Sequence, residues 1–534
     1  MIESVSIIVN NKIRPSAWEK HPYKLILDLS MSDTSSFDIS ITFKHAIAEF
    51  RNHDYTWVKC NQDRIAAEFS PKILKLDNGQ LVQANINSGI WEVNKENPKT
   101  LLWRFNPENA FPLTKYTGTD NQKVIVQANH ELRFVENPAL LFPLTSALEY
   151  SRSLLPFTAI ACFTDHCDFD TPESLLLQRE FFKTHGVTVT KGIFLNHYSK
   201  RENNASFEKH SVEFHKWIDD GHELAYHSLS QSIKTDKESL ADFRNFLPPL
   251  PMPTWIDHGY QPYNFTMFEK NNMDYDDFEK NLKGKKIRTL WNYIDSGTAA
   301  TGVINQINPD DFTLASFSKG IRQLKFSERM GALIKNIMFH FYADERMIVK
   351  YKSAAACLKK IIYQKKLASV FTLVGSLLGL LIPLLRVFIF WNNDKNVPYK
   401  LAKYTPVLFR HKIANEEFII FQTLEMIDFK TALHPVNITR LIDEKGLFIA
   451  HTYFSAPMEY HQGKIFDSPD KINRHVAENF AFLGSKIANG EIWNPTLHEL
   501  ADFFANFEKA LLDIDHEGNI VITNTSGLAH RTVS

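Results

Sequence analysis

The sequence predicts an α/β fold of parallel strands and helices, with a β-rich domain before it and a hydrophobic helical insertion within it. Three observations predict this arrangement. Residues 1–150 are short apolar or alternating runs between polar turns, strand and helix patterns alternate from about residue 155, and residues 367–391 are almost continuously apolar. A chain of 534 residues also exceeds the usual size of one hydrophobic core.

These changes of pattern divide the chain into five parts. They are a β-rich domain (1–150), the first part of the α/β domain (151–300), the insertion (301–404), the rest of the α/β domain (405–515), and a terminal strand with a polar tail (516–534). In the first part, runs such as Lys24–Leu27 are separated by turn clusters such as Asp77–Gly79. This pattern is typical of a β-rich domain.

The α/β domain begins with a buried-strand pattern at Thr158–Phe163. Thr171 and Pro172 then supply an N-cap and a first-turn proline for a helix that ends near Lys183. A strand at Thr188–Leu195 repeats the alternation. Polar residues follow these strands, and in parallel α/β folds such positions converge at one face.

After the insertion, the same pattern returns. Gly446–His451 predicts a strand that ends on a histidine, and Thr496–Leu512 predicts a long amphipathic helix. Asn519–Thr523 predicts one last strand before the polar tail.

The amino-acid composition limits the partners and the cell compartment that we expect for this protein. The chain has 60 Lys and Arg against 61 Asp and Glu, so no global field recruits nucleic acid, and we expect no nucleic-acid partner. Its four cysteines form no C-x-x-C pair, which favours a reducing compartment. The first residues lack the basic and apolar regions of a secretory signal, so we expect a cytoplasmic protein.

The insertion contains a candidate membrane segment at 367–391, which approaches the roughly 20 residues needed to cross a bilayer. Lys359, Lys360, Lys365 and Lys366 precede it and would contact anionic headgroups. The alternatives are a buried helical insertion and a double crossing as a tight hairpin broken near Pro383. Because catalytic candidates lie on both sides of the segment, one crossing would separate them, so we expect attachment to one membrane face.

Two polar clusters stand at the ends of predicted strands. The first contains Asp165, His166, Asp168 and Asp170, a set suited to a divalent metal and a general base, although such residues are also common in turns. The second contains His227, whose neutral imidazole is a metal ligand or a structural side chain.

The two clusters, in this order, resemble the motifs of the polysaccharide deacetylases of the NodB-homology group. The likeness covers about 155–300 and resumes at about 405–510. It implies a distorted (β/α) barrel of the NodB type and a metal-dependent esterase or amidase acting on carbohydrate. The β-rich domain and the insertion lie outside the resemblance.

The first family motif, T-F-D-D-G, is similar to Phe163–Cys167. The resemblance implies that Asp165 is the catalytic base and that His166 replaces the family's ligand aspartate. Imidazole still binds zinc. Asp168 or Asp170 would then supply the carboxylate of the site.

The second family motif is matched by Gly221–Gln231, which implies that His227 is a metal ligand. Gln231 stands where the family has a second histidine, and an amide oxygen is a poorer zinc ligand. His258 is the candidate replacement ligand, a substrate contact or a turn histidine. Gln231 and Asp257 are possible metal or substrate residues. The arginine that orients the base in the family is not evident.

The family's last motif, L-x-H, is similar to Ile449–His451, and it implies that His451 protonates the leaving amine. The expected cofactor is a divalent metal, with zinc preferred. The expected reaction releases acetate from N-acetylated sugars of an envelope polysaccharide or its lipid-linked precursor at the cytoplasmic membrane face.

Three alternatives stay open. The first is a non-catalytic carbohydrate-binding relative with a degenerate metal site. The second is a glycosidic-bond hydrolase on the same barrel, using carboxylates such as Asp165, Asp168 and Asp257. The third is an integral membrane assembly factor whose barrel is incidental.

Overall fold

The computed structural model describes the chain except for a set of short ranges. The residues outside the description are 16–17, 30–34, 117–122, 135, 232–233, 257–273, 296–302, 365–368, 427–428, 456–464 and 525–526. Two predicted site residues, Asp257 and His258, therefore lie outside the described residues.

The N-terminal region is β-rich, as the sequence predicts, and its strands pair antiparallel. They are β1 (Ile2–Val9), β2 (Lys12–Pro15), β3 (Trp18–Lys20), β4 (Lys24–Leu27), β5 (Phe37–Phe43), β6 (Ile47–Arg51), β7 (Trp57–Lys59), β8 (Arg64–Ala66), β9 (Ile73–Leu76), β10 (Leu81–Ala84), β11 (Ile90–Val93), β12 (Thr100–Phe105), β13 (Pro112–Tyr116), β14 (Lys123–Gln127), β15 (Ala139–Leu141) and β16 (Ala147–Tyr150).

Two sheets share the core of this region, in the orders β2-β1-β5-β12-β11-β8 and β3-β4-β15-β10-β9-β6-β7. Alternation places every second side chain inside: in β5, Phe37, Ile39, Ile41 and Phe43 are buried and the residues between them are partly exposed. These side chains join one apolar cluster with residues of both sheets. The region is therefore a two-layer β structure.

Strands and helices alternate in the next part of the chain. The elements are β17 (Ala159–Asp165), α1 (Pro172–His185), β18 (Thr190–Ile193), α2 (Phe207–Asp219), β19 (Glu223–Tyr226), α3 (Asp236–Asn245), β20 (Thr254–Trp255), α4 (Tyr275–Gly284) and β21 (Thr289–Asp295). The start of α1 is as predicted: the Thr171 hydroxyl accepts a hydrogen bond from Ser174 N, and Pro172 occupies the first turn.

The insertion is helical. It contains a short 3-10 turn (Pro309–Asp311), α5 (Leu314–Gly320), α6 (Phe326–Asn336), a π-helical turn (Ile337–Phe341), α7 (Glu345–Gln364), α8 (Ser369–Ile389) and α9 (Trp391–Asp394). Helices α7 and α8 pack side by side as a hairpin.

The remaining elements complete the domain and return to the N-terminal region. They are β22 (Leu408–Ile413), β23 (Glu416–Glu425), α10 (Phe429–Ala432), α11 (Pro435–Asp443), β24 (Leu447–Thr452), β25 (Phe466–Ser468), β26 (Lys471–Ile472), α12 (Arg474–Ala488), β27 (Ile492–Trp493), α13 (Leu497–Phe507), β28 (Leu511–Ile514), β29 (Ile520–Asn524) and β30 (His530–Val533).

Seven parallel strands close a barrel in the order β17-β18-β19-β20-β21-β23-β24 and back to β17. All seven residues of β17 are buried, as expected for a parallel strand covered on both faces. The barrel confirms the predicted α/β architecture with a β-rich region and a helical insertion.

The Asn494 side chain links the first two barrel strands, β17 and β18, by hydrogen bonds to the backbone. Strand β17 pairs with β18 through a single residue pair, Thr164 near the carboxyl end of β17 and Thr190 at the beginning of β18, while β27 pairs with the beginning of β17. The Asn494 amide donates to Ala161 O at 2.7 Å and to Thr188 O at 3.1 Å, and its oxygen accepts from Thr188 N at 2.6 Å. These bonds satisfy backbone donors and acceptors that the single residue pair between β17 and β18 does not reach.

The C-terminal end differs from its prediction. The predicted helix Thr496–Leu512 is wrong beyond Phe507, because Leu511 and Leu512 belong to β28, which pairs with β29 and bridges to Ile86. The predicted polar tail contains a further strand, β30, which pairs antiparallel with β16. Pairing with distant segments thus overrides the local helical pattern.

Candidate metal centre

The carboxyl ends of three barrel strands bring the sequence motifs together. Asp165 ends β17, and His166 follows it directly. His227 follows β19, and His451 lies near the end of β24, where it pairs in register with Thr164. In parallel barrels this end of the strands carries the functional side chains. The structure therefore brings together residues that are nearly 300 positions apart.

His166, Asp168 and His227 form a compact cluster. The Nδ1 atom of His166 lies 2.6 Å from Nε2 of His227. The Asp168 carboxylate lies 4.0 Å from His166 Nδ1 and 3.7 Å from His227 Nε2. All three residues are buried, and their ligand atoms lie within 4.8 Å of one another. Of the two carboxylates that the sequence leaves open, Asp168 is the one in the cluster.

The donor set fits a divalent transition metal. Two imidazoles and one carboxylate are ligands that zinc and similar ions accept, at bond lengths of about 2.0–2.2 Å. Atoms that share such an ion lie about 3–4 Å apart. The two contacts of Asp168 already have this spacing, and the two histidine nitrogens need to separate by less than about 1 Å.

A chain of hydrogen bonds sets the tautomers of two histidines. The Thr164 hydroxyl donates to Ala450 O at 2.8 Å, so its oxygen accepts from Nδ1 of His451 at 2.7 Å. In a neutral His451 the other nitrogen, Nε2, is then the acceptor for His166 Nε2–H at 2.8 Å. His166 consequently keeps the lone pair on Nδ1, the atom that faces His227 and Asp168, in the form that metal binding requires.

Aromatic rings enclose the His166 imidazole. Tyr453 stacks on it with ring centroids 4.6 Å apart, and Trp291 meets it edge to face at 5.2 Å. The Trp291 indole is itself fixed by a hydrogen bond to the Thr423 hydroxyl. These rings restrict the imidazole to one orientation and lower the local polarity.

Asp165 belongs to a second, ionic cluster centred on Lys191. The Lys191 ammonium donates to the Asp165 carboxylate and, at 2.5 Å, to the Asp170 carboxylate. Asp165 also accepts from Gly192 N at 2.6 Å, and Ser455 donates to Asp170 at 2.6 Å. All three charged side chains are almost completely buried. Asp170 is thus engaged with Lys191 and does not join the histidine cluster.

Burial and neighbouring charges set the protonation of this ionic cluster. Burial raises the pKa of the Asp165 carboxyl to about 7, the Lys191 ammonium opposes the shift, and the Asp170 carboxylate adds to it. Burial also disfavours the charge on Lys191, but Asp165 and Asp170 outweigh it and raise the pKa of Lys191. Lys191 therefore stays protonated beside Asp165.

Gly192 allows the two clusters to approach each other. A Cβ atom at this position would lie 2.8 Å from Asp165 O, 3.1 Å from Asp165 Oδ1 and 3.3 Å from His227 Cβ. The first of these distances is shorter than any normal contact, so a larger residue would displace Asp165 or His227.

Gln231 supports the loop of the site instead of joining the ligand cluster. Its Nε2 donates to the backbone oxygen of Asp168 at 2.8 Å, and its oxygen accepts from the Ser199 hydroxyl. Arg201 donates to the same Asp168 oxygen at 2.8 Å. Both ends of the Gln231 amide are thus used to fix the loop and the backbone that carries Asp168.

Several residues of the site were not predicted, namely Lys191, Thr164, Trp291 and Tyr453. Lys191 had a detectable signal, because a lysine inside the predicted strand Thr188–Leu195 must find a partner if the strand is buried. Lys191 places a positive charge beside Asp165. The arginine that would orient this carboxylate was not evident in the sequence. The roles of Trp291 and Tyr453 depend on packing between distant strands, which no local pattern reveals.

Comparison with known proteins gives only weak similarity to two solved structures. No protein-family profile and no curated protein matches the chain. Two solved structures of a Flavobacterium johnsoniae GH31 dextranase are weakly similar, each at 9% identity. A mutant complexed with isomaltotriose has a TM-score of 0.21, over 55% of this chain and 42% of that chain. The glucose complex has a TM-score of 0.26, over 91% and 62%. Likeness at this level carries no argument about fold or activity.

Proposed function

We propose that the chain is a metal-dependent hydrolase that removes acetyl groups from N-acetylated sugars of a polysaccharide or its lipid-linked precursor. One observation carries the proposal: His166, Asp168 and His227 converge beside Asp165 at the carboxyl end of the barrel strands. The resemblance of the same segments to polysaccharide deacetylase motifs supports the reaction class. A barrel of the NodB type is part of the proposal.

His166, Asp168 and His227 would hold the ion, with zinc the preferred candidate. When bound, a divalent ion supplies Lewis-acid polarisation of the acetamido carbonyl and a water of lowered pKa. The chain's own contribution is to fix the ligand geometry and exclude bulk water, through the aromatic rings around His166 and the bonds that hold the Asp168 backbone.

Asp165 is the proposed proton carrier. Its carboxylate is held by Lys191 and by Gly192 N–H, and it would accept a proton from the attacking water and return it to the leaving nitrogen. The amide C–N bond breaks, one water is consumed, and the products are acetate and a free amino sugar.

The proposal changes the role expected for His451. Each ring nitrogen of His451 has a single hydrogen-bonding site, and both sites are used, Nδ1 with Thr164 and Nε2 with His166. Each carboxylate oxygen of Asp165, in contrast, accepts one bond, from Lys191 or Gly192, and keeps a second lone pair for a proton. An imidazole held in this way orients His166, so we assign His451 as a positioning residue and not as the proton donor to the amine.

The test uses purified full-length protein, stripped with a chelator and reloaded with Zn²⁺. Metal content is measured by elemental analysis, and chitooligosaccharides are assayed for both acetate release and chain length. We expect the His227→Ala and Asp168→Ala variants to lose metal and acetate release together. We expect Asp165→Asn to keep its metal and lose acetate release by about 10²–10⁴-fold.

The matched control is His475→Ala, which removes an exposed histidine paired with Glu478. It should keep metal and activity. Protein that holds no metal after reloading would instead support the non-catalytic carbohydrate-binding alternative. Shortened sugar chains without acetate would support a glycosidic-bond hydrolase.

A further inference from the structure

We propose that the outer face of α8 rests on an anionic phospholipid bilayer, and that the helical hairpin α7–α8 attaches the protein to one membrane face. This inference is independent of the proposed function. It depends on the exposure of α8, on its anchoring to the protein and on the charge of the hairpin.

The outer face of α8 is apolar and exposed. Within the described residues, Thr372–Ile389 is long and apolar enough to cross a membrane, and little of it is buried. Its largest exposed side chains are Val374, Leu377, Leu378, Leu381, Ile382, Leu385, Phe388 and Ile389, with Ile382 at 77% and Ile389 at 73% exposure. A contiguous apolar face of this size marks an interaction surface.

The inner face of α8 is firmly packed, so the exposed face does not reflect a helix detached from the protein. Leu380 and Val387 are buried and join the apolar cluster of the barrel. The Tyr342 hydroxyl donates to Pro383 O at 2.8 Å, which fixes the helix at its proline. Lys350 of α7 packs across Gly379. The outer face is therefore presented on a rigid support.

The connectivity of the barrel excludes a single membrane crossing. The insertion leaves after β21 and returns before β23, and these two strands are neighbours in the barrel, with Leu290 paired to Ile420. Both ends of the hairpin must therefore lie on the same side of a bilayer. Helix α7 carries Arg346, Lys350 and Lys352, which makes it unsuitable as an apolar second crossing. Helix α8 then lies along the membrane surface.

The net positive charge of the hairpin favours an anionic membrane surface. Residues 345–390 contain eight basic residues and one acidic residue, Glu345, although the whole chain is nearly neutral. The basic residues are Arg346, Lys350, Lys352, Lys359, Lys360, Lys365, Lys366 and Arg386. Basic residues beside an apolar helix face attract anionic headgroups. A second copy of the chain would bring the same positive charge, so repulsion disfavours self-association through this face.

Vesicle binding tests the proposal with the full-length protein. Sedimentation is measured with vesicles of phosphatidylcholine alone and with vesicles that contain 30% phosphatidylglycerol. We expect the wild type to bind the anionic vesicles more tightly and to lose this preference as salt is raised. The double variant Leu378→Glu/Ile382→Glu should bind at least about 10-fold more weakly, because charge on the inserted face opposes burial.

The matched control is Val212→Glu/Val436→Glu, which adds the same two charges at positions of similar exposure on α2 and α11. It should bind like the wild type. Lys352→Gln/Lys360→Gln should weaken binding to anionic vesicles and leave binding to neutral vesicles unchanged. All these positions are exposed, so urea midpoints are expected to stay close to that of the wild type.

Two results would overturn the proposal. One is wild-type protein that binds neither kind of vesicle, or that binds equally after Leu378→Glu/Ile382→Glu. The other is a dimer in light scattering that dissociates in the same variant, which would assign the face to a second copy of the chain. Acetate release from a soluble oligosaccharide should be unchanged in the α8 variant, so failure here is distinct from failure of the proposed activity.

Discussion

His451 Nε2 lies 2.8 Å from His166 Nε2, and this contact fixes which nitrogen of His166 is available to a metal. We therefore predict that His451→Leu weakens zinc affinity by about 10- to 100-fold, the range typical of lost partners of metal-bound histidines. His451→Gln retains an acceptor for His166 and should lose less. Competition with a chromophoric chelator measures both affinities.

The same pair of variants separates two roles of His451. If His451 were the proton donor to the amine, Gln and Leu would lower kcat equally and leave zinc affinity unchanged. That outcome would restore the role implied by the sequence motif and reject the positioning role.

Lys191 balances two buried carboxylates, and we predict that its removal destabilises the protein. Lys191→Met should lower the free energy of unfolding by about 3–5 kcal/mol, because Asp165 and Asp170 are left without their cation. The Lys191→Met/Asp170→Asn double variant should recover part of this loss. Urea unfolding of the three proteins gives the values.

Lys183→Met is the control for this substitution. Lys183 is 57% exposed in its side chain and pairs with Asp220 at the surface, so its loss should cost less than about 1 kcal/mol. Equal effects at positions 183 and 191 would show that the buried cluster contributes no special stability.

Gly192 sits between Asp165 and His227, and we predict that Gly192→Ala disrupts the site. The new Cβ would lie 2.8 Å from Asp165 O, so the strand or His227 must move, and zinc affinity should fall by about 10-fold or more. Gly284→Ala is the matched control, since a Cβ there meets nothing within 4 Å. If both variants bind zinc like the wild type, the close approach at Gly192 is unimportant.

The sequence predicted much of the site because its residues follow buried strands. Asp165, His166, His227 and His451 were all placed by that rule together with the motif resemblance, and the barrel brings them to one end. The rule depends only on local pattern and on the parallel arrangement of strands. It could not choose between Asp168 and Asp170, because that choice depends on how one loop turns.

Contacts made across the fold decide what the local pattern leaves open. Gln231 stands where the motif has a histidine, and its amide bonds to Ser199 and to the Asp168 backbone. Leu511 and Leu512 continue a helical pattern in the sequence, yet Leu511 bridges to Ile86 and Leu512 N donates to Asn85 O at 2.8 Å, which places them in a strand. In both cases the deciding partner is distant in sequence or on a different loop, so the local sequence contains no sign of it.

His222 gives the protein a predicted sensitivity to acid. Its Nδ1 accepts from Val189 N at 3.2 Å, and it lies against the rings of Trp217 and Phe182. Burial lowers the pKa of His222 to about 4; Asp220 opposes the shift, and Arg179 and Lys191 add to it. The neutral ring is therefore the form that the fold accepts.

The sign of the effect follows from the depressed pKa. Between about pH 6.5 and pH 4 the unfolded chain holds a proton on this histidine that the folded chain excludes, so stability is lost as the pH falls. We predict that the free energy of unfolding drops about 2 kcal/mol more in the wild type than in His222→Asn between pH 7.5 and pH 5. Asparagine keeps an acceptor for Val189 N and does not titrate. His475→Asn, at an exposed site, should follow the wild type, whereas parallel pH curves for wild type and His222→Asn would contradict the prediction.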